Sequence, residues 1–304
     1  MNELGTNRRA FGKSLAGLVT ASVMASAATE SGRFKKGITL GSFPKGKPLP
    51  ECFAEAKAAG FQGVEIPVGR QVTLETPDDE LKRLRETAEK IGITIVDVWI
   101  SGAIAQTPLN HPDPAVRAKG VEGLRRGIQI ANLLGTDSIL VVPGEVGWRD
   151  KMEYGYEITW ERVSAEIPKV IPDAEKANVF LNFEEVWNRF LTSPLDMKRF
   201  VDQFNSKHAA VHFDVGNILQ YGFPQDWIDT LGSRIHRVHL KDYQLQGFQM
   251  GKFVPLMQGS VDWNAVMQAL VRTGYRGFLT PEYGVDTPLA DISSAWDKIV
   301  ALAA

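Results

Sequence analysis

The chain has 304 residues, 44% of them hydrophobic, a formal net charge of -2 and a single cysteine, Cys52. That length suits one large domain, the near-neutral balance without a long run of one sign argues against a nucleic-acid-binding face, and one cysteine excludes an intrachain disulfide. Cys52 falls in a predicted helix and reads as packing rather than as a nucleophile.

The first stretch with a recognisable pattern is Asn7-Arg8-Arg9-Ala10-Phe11-Gly12-Lys13, which resembles a twin-arginine export motif. A weakly apolar run from Ser14 to Met24 follows, too short for a membrane span of about 20 residues. Ala25-Ser26-Ala27 then offers small residues at a cleavage site. Residues 1–31 are expected to be a signal peptide and short linker, with the twin-arginine translocase as a partner and a periplasmic or other extracytoplasmic destination. The plain alternative is a basic N-terminal tail.

From Gly32 onward strand and helix patterns alternate. Strands are predicted at Ile38–Phe43, Gly63–Val68, Thr94–Ile100, Ser138–Pro143, Val179–Glu184, Ala210–Val215, Arg234–Lys241 and Gly277–Glu282. Helical patterns cover Glu51–Ala59, Pro77–Ile91, Asp113–Leu134, Tyr156–Ala177, Pro194–Phe204, Pro224–Leu231, Val261–Thr273 and Leu289–Leu302. Gly60, Gly92, Gly135 and Gly274 each follow a helix, where a left-handed cap is expected. Eight alternating units imply a parallel sheet closed into a (β/α)8 TIM barrel over residues 32–304, a single α/β domain. The irregular piece Tyr243–Ser260 is expected to cover the mouth.

In such a barrel the site lies where the strands end. Four late strands end in chemistry: Glu184-Glu185, His212-Phe213-Asp214, His236-Arg237-Val238-His239-Leu240-Lys241-Asp242, and Thr280-Pro281-Glu282. Side chains alternate between barrel axis and helices. Placing Leu181, Phe183, Val211, Phe213, Val238, Leu240 and Leu279 against helices turns Glu184, His212, Asp214, Arg237, His239, Lys241 and Glu282 inward and His236 outward. A bulge at the end of the fifth strand would select Glu185 instead of Glu184. A lone acid at a strand end is ordinarily a cap, and a lone histidine in an apolar strand ordinarily a core residue. Three carboxylates in one mouth, however, repel one another unless a cation joins them. Oxygen-rich ligands with one imidazole suit Mn²⁺ first, with Mg²⁺, Co²⁺ or Zn²⁺ compatible.

Glu184-Glu185-Val186-Trp187-Asn188-Arg189-Phe190, Phe213-Asp214-Val215-Gly216-Asn217 and Val238-His239-Leu240-Lys241-Asp242 together resemble the xylose isomerase-like barrel superfamily, and within it the ketose 3-epimerases. The resemblance implies one divalent metal on Glu184, Asp214, His239 and Glu282. It implies a sugar isomerase or epimerase in which Glu184 removes a carbon-bound proton and Glu282 returns one through an enediolate. Aligned without a gap, the epimerase motif would select Glu185 as ligand; the strand register selects Glu184. Glu185, Asn217, Lys241, Trp99 and His212 are expected around the substrate, His212 one inward layer below Asp214 as a supporting partner, Asp242 beside Lys241, and Trp148 is a further stacking candidate. The chain departs from the epimerases at Phe190 and Leu191, Asn217 and Leu245, where that family carries Glu, His and Arg substrate contacts. A small-molecule sugar is the expected partner, with a homo-oligomer plausible from the family. Lack of a Gly-rich phosphate loop favours an unphosphorylated sugar. An inosose dehydratase-like lyase is the nearest rival, and a non-catalytic exported sugar-binding barrel a more distant one. A multi-metal DNA-repair nuclease is disfavoured by five histidines and the net charge.

Overall fold

A computed structural model describes residues 32–147, 154–247 and 250–304. The expected export segment and Trp148 lie outside these described residues. The strands are β1 (Phe34–Thr39), β2 (Gly63–Pro67), β3 (Thr94–Trp99), β4 (Ser138–Val141), β5 (Phe180–Phe183), β6 (Ala209–Asp214), β7 (Ile235–Leu240), β8 (Asp242–Gly247), β9 (Met250–Val254) and β10 (Gly277–Pro281). Eight of them, β1 to β7 and β10, close into a parallel barrel in which β1 pairs with both β2 and β10. β8 and β9 form a separate antiparallel pair.

The helices are α1 (Leu49–Ala58), α2 (Asp78–Ile91), α3 (Pro114–Leu134), α4 (Tyr156–Glu166), α5 (Ile171–Ala177), α6 (Pro194–Asp202), α7 (Val215–Ile218), α8 (Pro224–Leu231), α9 (Trp263–Arg272) and α10 (Leu289–Ala301). Gly60, Gly92, Gly135 and Gly274 all take positive φ after their helices, as expected. The single helix predicted over Tyr156–Ala177 is instead α4, a 3₁₀ turn at Ile167–Lys169, and α5. Pro168 and Pro172 cause the interruption, because each lacks the amide that an unbroken helix requires.

β1 begins earlier than predicted, at Phe34, and Leu40–Ser42 forms a 3₁₀ turn. Lys36 is only 7% exposed. Its ammonium lies over the Trp296 ring, 4.9 Å from the centroid, and reaches Ser293 O (3.2 Å), Ser293 Oγ (3.0 Å) and Asp297 (2.6 Å). A long side chain can bury its methylenes while its charge finds partners.

The apolar strand faces meet the helices: Ile38, Val64, Val98, Leu181, Phe183, Val211, Phe213, Val238, Leu240 and Leu279 are all buried. The axis-facing positions are polar. Thr39, Glu65, Asp97, Ser138, Asn182, His212, Asp214, His239 and Thr280 are at most 1% exposed. Two register shifts tune this interior. One in β3 skips Val96 so that Glu65 stands opposite Asp97; one in β7 skips His236 so that Asp214 stands opposite His239. The second shift also corrects the outward assignment of His236, which turns to Asn182 Oδ1 (3.1 Å) and stacks on Phe180 (ring centroids 4.0 Å apart).

The irregular piece expected after the seventh strand contains the β8–β9 hairpin. Its residues alternate without a buried apolar face, so periodicity alone gave no strand. Asp242 ties it down. This carboxylate accepts from the amides of Tyr243 (2.9 Å), Gly259 (3.0 Å) and Val261 (3.3 Å) and from Trp263 Nε1 (3.1 Å). Asp242 is therefore an anchor for the mouth cover, and it also lines the cavity beside Lys241. Asp242→Ala is expected to lower unfolding free energy by about 3 kcal/mol, since it strands several buried donors. Denaturant unfolding measures the loss, and amide exchange should localise the loosening to β8, β9 and Gly259–Trp263.

Candidate metal centre

Glu184, Asp214, His239 and Glu282 each offer one ligand atom, and these atoms all lie within 4.8 Å of one another. Strand pairing brings them together. Asp214 and Thr280 both stand opposite His239, and the amides of Glu184 and Glu282 extend the ladders to Val141 O (3.0 Å) and Leu240 O (3.1 Å). Asp214 also caps α7: its Oδ1 accepts from the amides of Gly216 and Asn217, both at 2.8 Å, which leaves Oδ2 for the centre. Gly216 makes room for this turn, because a Cβ there would stand 2.7 Å from Lys241 O.

His239 is held from behind. Its Nε2 lies 2.8 Å from Glu65 Oε2, which also accepts from Trp99 Nε1 at 3.0 Å. Its Nδ1 faces Glu282 (3.3 Å), Glu184 (3.5 Å) and Asp214 (3.7 Å) without hydrogen-bonding geometry to any of them. A carboxylate that accepts from one ring nitrogen leaves the other as the electron-pair donor, the usual support of a metal-binding histidine. Asp214 Oδ2 likewise receives no hydrogen bond. These orphaned atoms, with three carboxylates and one imidazole, fit one divalent cation.

Burial opposes the charged form of every group here, so the shifts record the neighbours' strength. At His239 the Glu65 carboxylate and the surrounding acids outweigh burial and raise the imidazolium well above the histidine range. Burial pushes Glu184 up to about 7; His239 opposes the rise, while Asp214 and Glu282 add to it. At Glu282 burial is overcome by His239 and Lys241, which hold the carboxyl well below its usual range. Lys241 lies 2.6 Å from Glu282 and 3.0 Å from Asp214, and the three acids keep it protonated against burial.

The sequence pattern of the xylose isomerase-like TIM barrel family matches residues 53–300. The chain belongs to this family. A relative, L-ribulose-5-phosphate 3-epimerase UlaE of Escherichia coli (O1:K1 / APEC), is 28% identical over 292 residues, covering 88% of this chain and 95% of its own. The enzyme of the same name from Salmonella paratyphi A is 27% identical over 286 residues, with the same coverage. Solved structures of like fold include D-psicose 3-epimerase from Clostridium cellulolyticum H10, with TM-score 0.68 and 19% identity over 89% of this chain and 96% of that one. Another is 3-keto-D-glucoside 4-epimerase, YcjR, from E. coli, with TM-score 0.71 and 13% identity over 88% of this chain and 98% of that one.

Within this family barrel, Glu184 and not Glu185 reaches the centre. Glu185 is 3% exposed, and neither carboxylate oxygen has a hydrogen bond. Burial, with Asp214 and Glu184 nearby, raises its carboxyl well above the usual range. Asn217 braces its surroundings, donating to Glu185 O at 3.3 Å and accepting from Lys241 Nζ at 3.4 Å. Trp99 packs against His239, with ring centroids 5.2 Å apart. His212 lies one layer below Asp214, as its register implies, and packs beneath His239 (ring centroids 4.0 Å apart), fully buried; it supports the centre and is corrected only as a contact for substrate.

The motif after Glu185 proves mostly architectural. Asn188 Nδ2 donates to Gly144 O at 2.7 Å, joining two loops of the mouth, and Phe190 packs among Tyr156, Trp160 and Phe200. Trp187 stacks on Phe253 of β9 at 4.9 Å. A cavity of about 410 Å³ opens beside the centre, lined by Lys241, Phe253, Pro255, Glu282 and Tyr283.

Sequence reasoning missed Glu65 and Asp97. The available signal was a single acid inside each of two apolar strands, Gly63–Pro67 and Thr94–Trp99. Such a residue must find a partner in the interior, but its own sequence neighbours do not say which.

Cation binding must displace the proton of His239, and below about pH 7 that of Glu184 as well. Affinity is expected to rise with pH, about tenfold per unit above 7 and more steeply below it. Competition against a chelator between about pH 6 and 8 checks the slope; a flat profile would contradict the assignment.

Proposed function

We propose that this chain is a divalent-metal-dependent sugar epimerase acting beside the carbonyl of a ketose, with aldose–ketose isomerisation as the related outcome. The observation that carries this reading is the pairing of Glu184 and Glu282 around Asp214 and His239. Their strands, β5 and β10, are separated in the barrel by β6 and β7, so the two acids approach the centre from opposite sides. The UlaE relatives are named as 3-epimerases of L-ribulose 5-phosphate, which supports the reaction class and brings a phosphorylated pentulose among the substrates to test.

Glu184, Asp214, His239 and Glu282 would hold a divalent cation, most suitably Mn²⁺, which would supply Lewis-acid stabilisation of charge developing on the sugar oxygens. Glu184 takes the proton from carbon as general base. Glu282, ionised at rest, relays a proton from solvent to the other face, and opposite-face return inverts the stereocentre; Glu184 then gives the proton it took from carbon back to solvent. Lys241, held as an ammonium, stands at the mouth as a fixed positive charge for the developing oxyanion. Glu65 and Trp99 keep the His239 ring in one orientation.

The decisive experiment incubates the Mn²⁺-loaded chain in D₂O with free and phosphorylated ketoses. Mass-conserving interconversion with deuterium at one carbon is expected, abolished by chelator and restored by Mn²⁺. Glu184→Gln and Glu282→Gln should each lower kcat by about 10²–10⁴-fold. Loss of water from the product would transfer the assignment to a lyase, and a complete lack of exchange would remove it.

We further read Arg8 and Arg9 as directing twin-arginine export. Replacing both with Lys should retain the chain in the cytoplasm on cell fractionation, and unchanged export would refute that reading.

A further inference from the structure

Charge is unevenly divided around the mouth. The cavity beside the centre is lined by Asp242, Glu282 and Asp286 as well as Lys241, and that lysine is committed to Asp214 and Glu282. Barrels often seat a phosphate in the loops after their last two strands. An anion in those loops here would meet carboxylates, and like charges at short range oppose binding. A second cavity, of about 430 Å³, is formed by the loops that follow β1 and β2 and has the opposite character. Phe43, Lys45, Arg70 and Gln71 are among its walls, and no acid is among the described residues that line it.

Strand register ties this cavity to the centre. β1 pairs with β10 at Lys36 and Leu279, and the same register carried onward sets Thr39 level with Glu282. Thr39 also stands opposite Glu65, the support of His239. The chain then passes through Leu40 and Phe43 into the cavity wall. Ser42 Oγ donates to Tyr283 O at 3.4 Å, so this loop is held against the residue that follows Glu282 and lines the cavity beside the centre. Gln71 Nε2 donates to Lys47 O at 2.9 Å and fastens the loop after β2 to the loop after β1. Lys45 and Arg70 are thereby carried on one clamped rim. Neither side chain has an ion pair or a hydrogen bond among the described residues, whereas Lys47 on the same loop is paired with Glu55.

We propose that Lys45 and Arg70 form a subsite for an anionic group, phosphate or carboxylate, at the end of the ketose remote from the reacting carbon. The inference rests on the sugar-epimerase reading above and names the substrate class within it, a ketose with a terminal negative charge. The carbonyl end belongs beside Glu184 and Glu282, and the charged end on the rim of the β1 and β2 loops. A guanidinium fork matches two oxygens of either anion, and an ammonium adds a point charge. Neither cation has a protein partner to give up, so the anion displaces only water. Both side chains are exposed, and added salt therefore screens the contact.

The Mn²⁺-loaded full chain is assayed with a free ketopentose, its 5-phosphate and a hexulosonate, which carries a terminal carboxylate. One of the two anions should exceed the neutral sugar in kcat/KM by about 10- to 100-fold, as expected of charge-assisted hydrogen bonds, and which one does so identifies the group. Lys45→Gln and Arg70→Gln should each lower that preference about tenfold, chiefly through KM, and high salt should lower it in the wild type. Equal use of all three sugars, a preference untouched by both variants, or equal losses on neutral and anionic sugars would overturn the proposal. If no sugar is turned over, the epimerase reading fails, and titration calorimetry with the same three compounds decides for the subsite. Tighter binding of an anion that is lost in the Lys45→Gln/Arg70→Gln double variant upholds it; identical binding by wild type and double variant overturns it.

Discussion

Three carboxylates and an imidazole converge at one end of the barrel, and the electrostatics of that convergence govern the structure around it. Removing ions from water costs several kcal/mol each unless charge and hydrogen bonds replace the solvent. Here the replacement is built from every side. Lys241 reaches two of the acids, amides of α7 hold one oxygen of Asp214, and Glu65 supports His239 from beneath. Local geometry, such as Gly216 in the first turn of α7 or the shift that skips His236, follows from the need to aim these groups at one another.

The same constraint shapes the barrel interior. TIM barrels usually fill this space with branched apolar side chains. In this chain the helix-facing strand surfaces carry the apolar packing, and the axis carries Thr39, Glu65, Asp97, Ser138, Asn182, His212 and Thr280. Ser138 connects Asp97 to Asn182, which meets His236 near the other end of the barrel. A polar axis of this kind gives the mouth ligands a rigid second layer, at the cost of many groups that must be satisfied without water. The aromatic cover is more accessible: Trp187, Tyr243 and Phe253 pack on one another above Lys241, and Trp187 and Phe253 remain over 40% exposed.

Much of this was legible in the chain itself. The eight strand–helix units, their glycine caps and the four strand-end residues follow from periodicity and from acids interrupting apolar runs. Register chose Glu184 over Glu185 because Leu181 and Phe183 had to face helices, and the two acids lie accordingly. Elsewhere local pattern misled. Lys36 is buried in a strand because Trp296, Ser293 and Asp297 on a distant helix receive it.

Alternation of apolar and polar residues is a property of neighbours along the chain, and by itself it determined the barrel, the direction of most strand side chains and the acids at the ends of the late strands. Tertiary structure alone decided which of these groups meet. Glu65 lies far from His239 in sequence, and nothing local to Gly63–Pro67 names its partner. Asp97 became opposite to Glu65 only because β3 carries an extra residue at Val96. A strand's own sequence sets the face on which a side chain stands, whereas its height against the next strand is set by packing across the whole closed barrel.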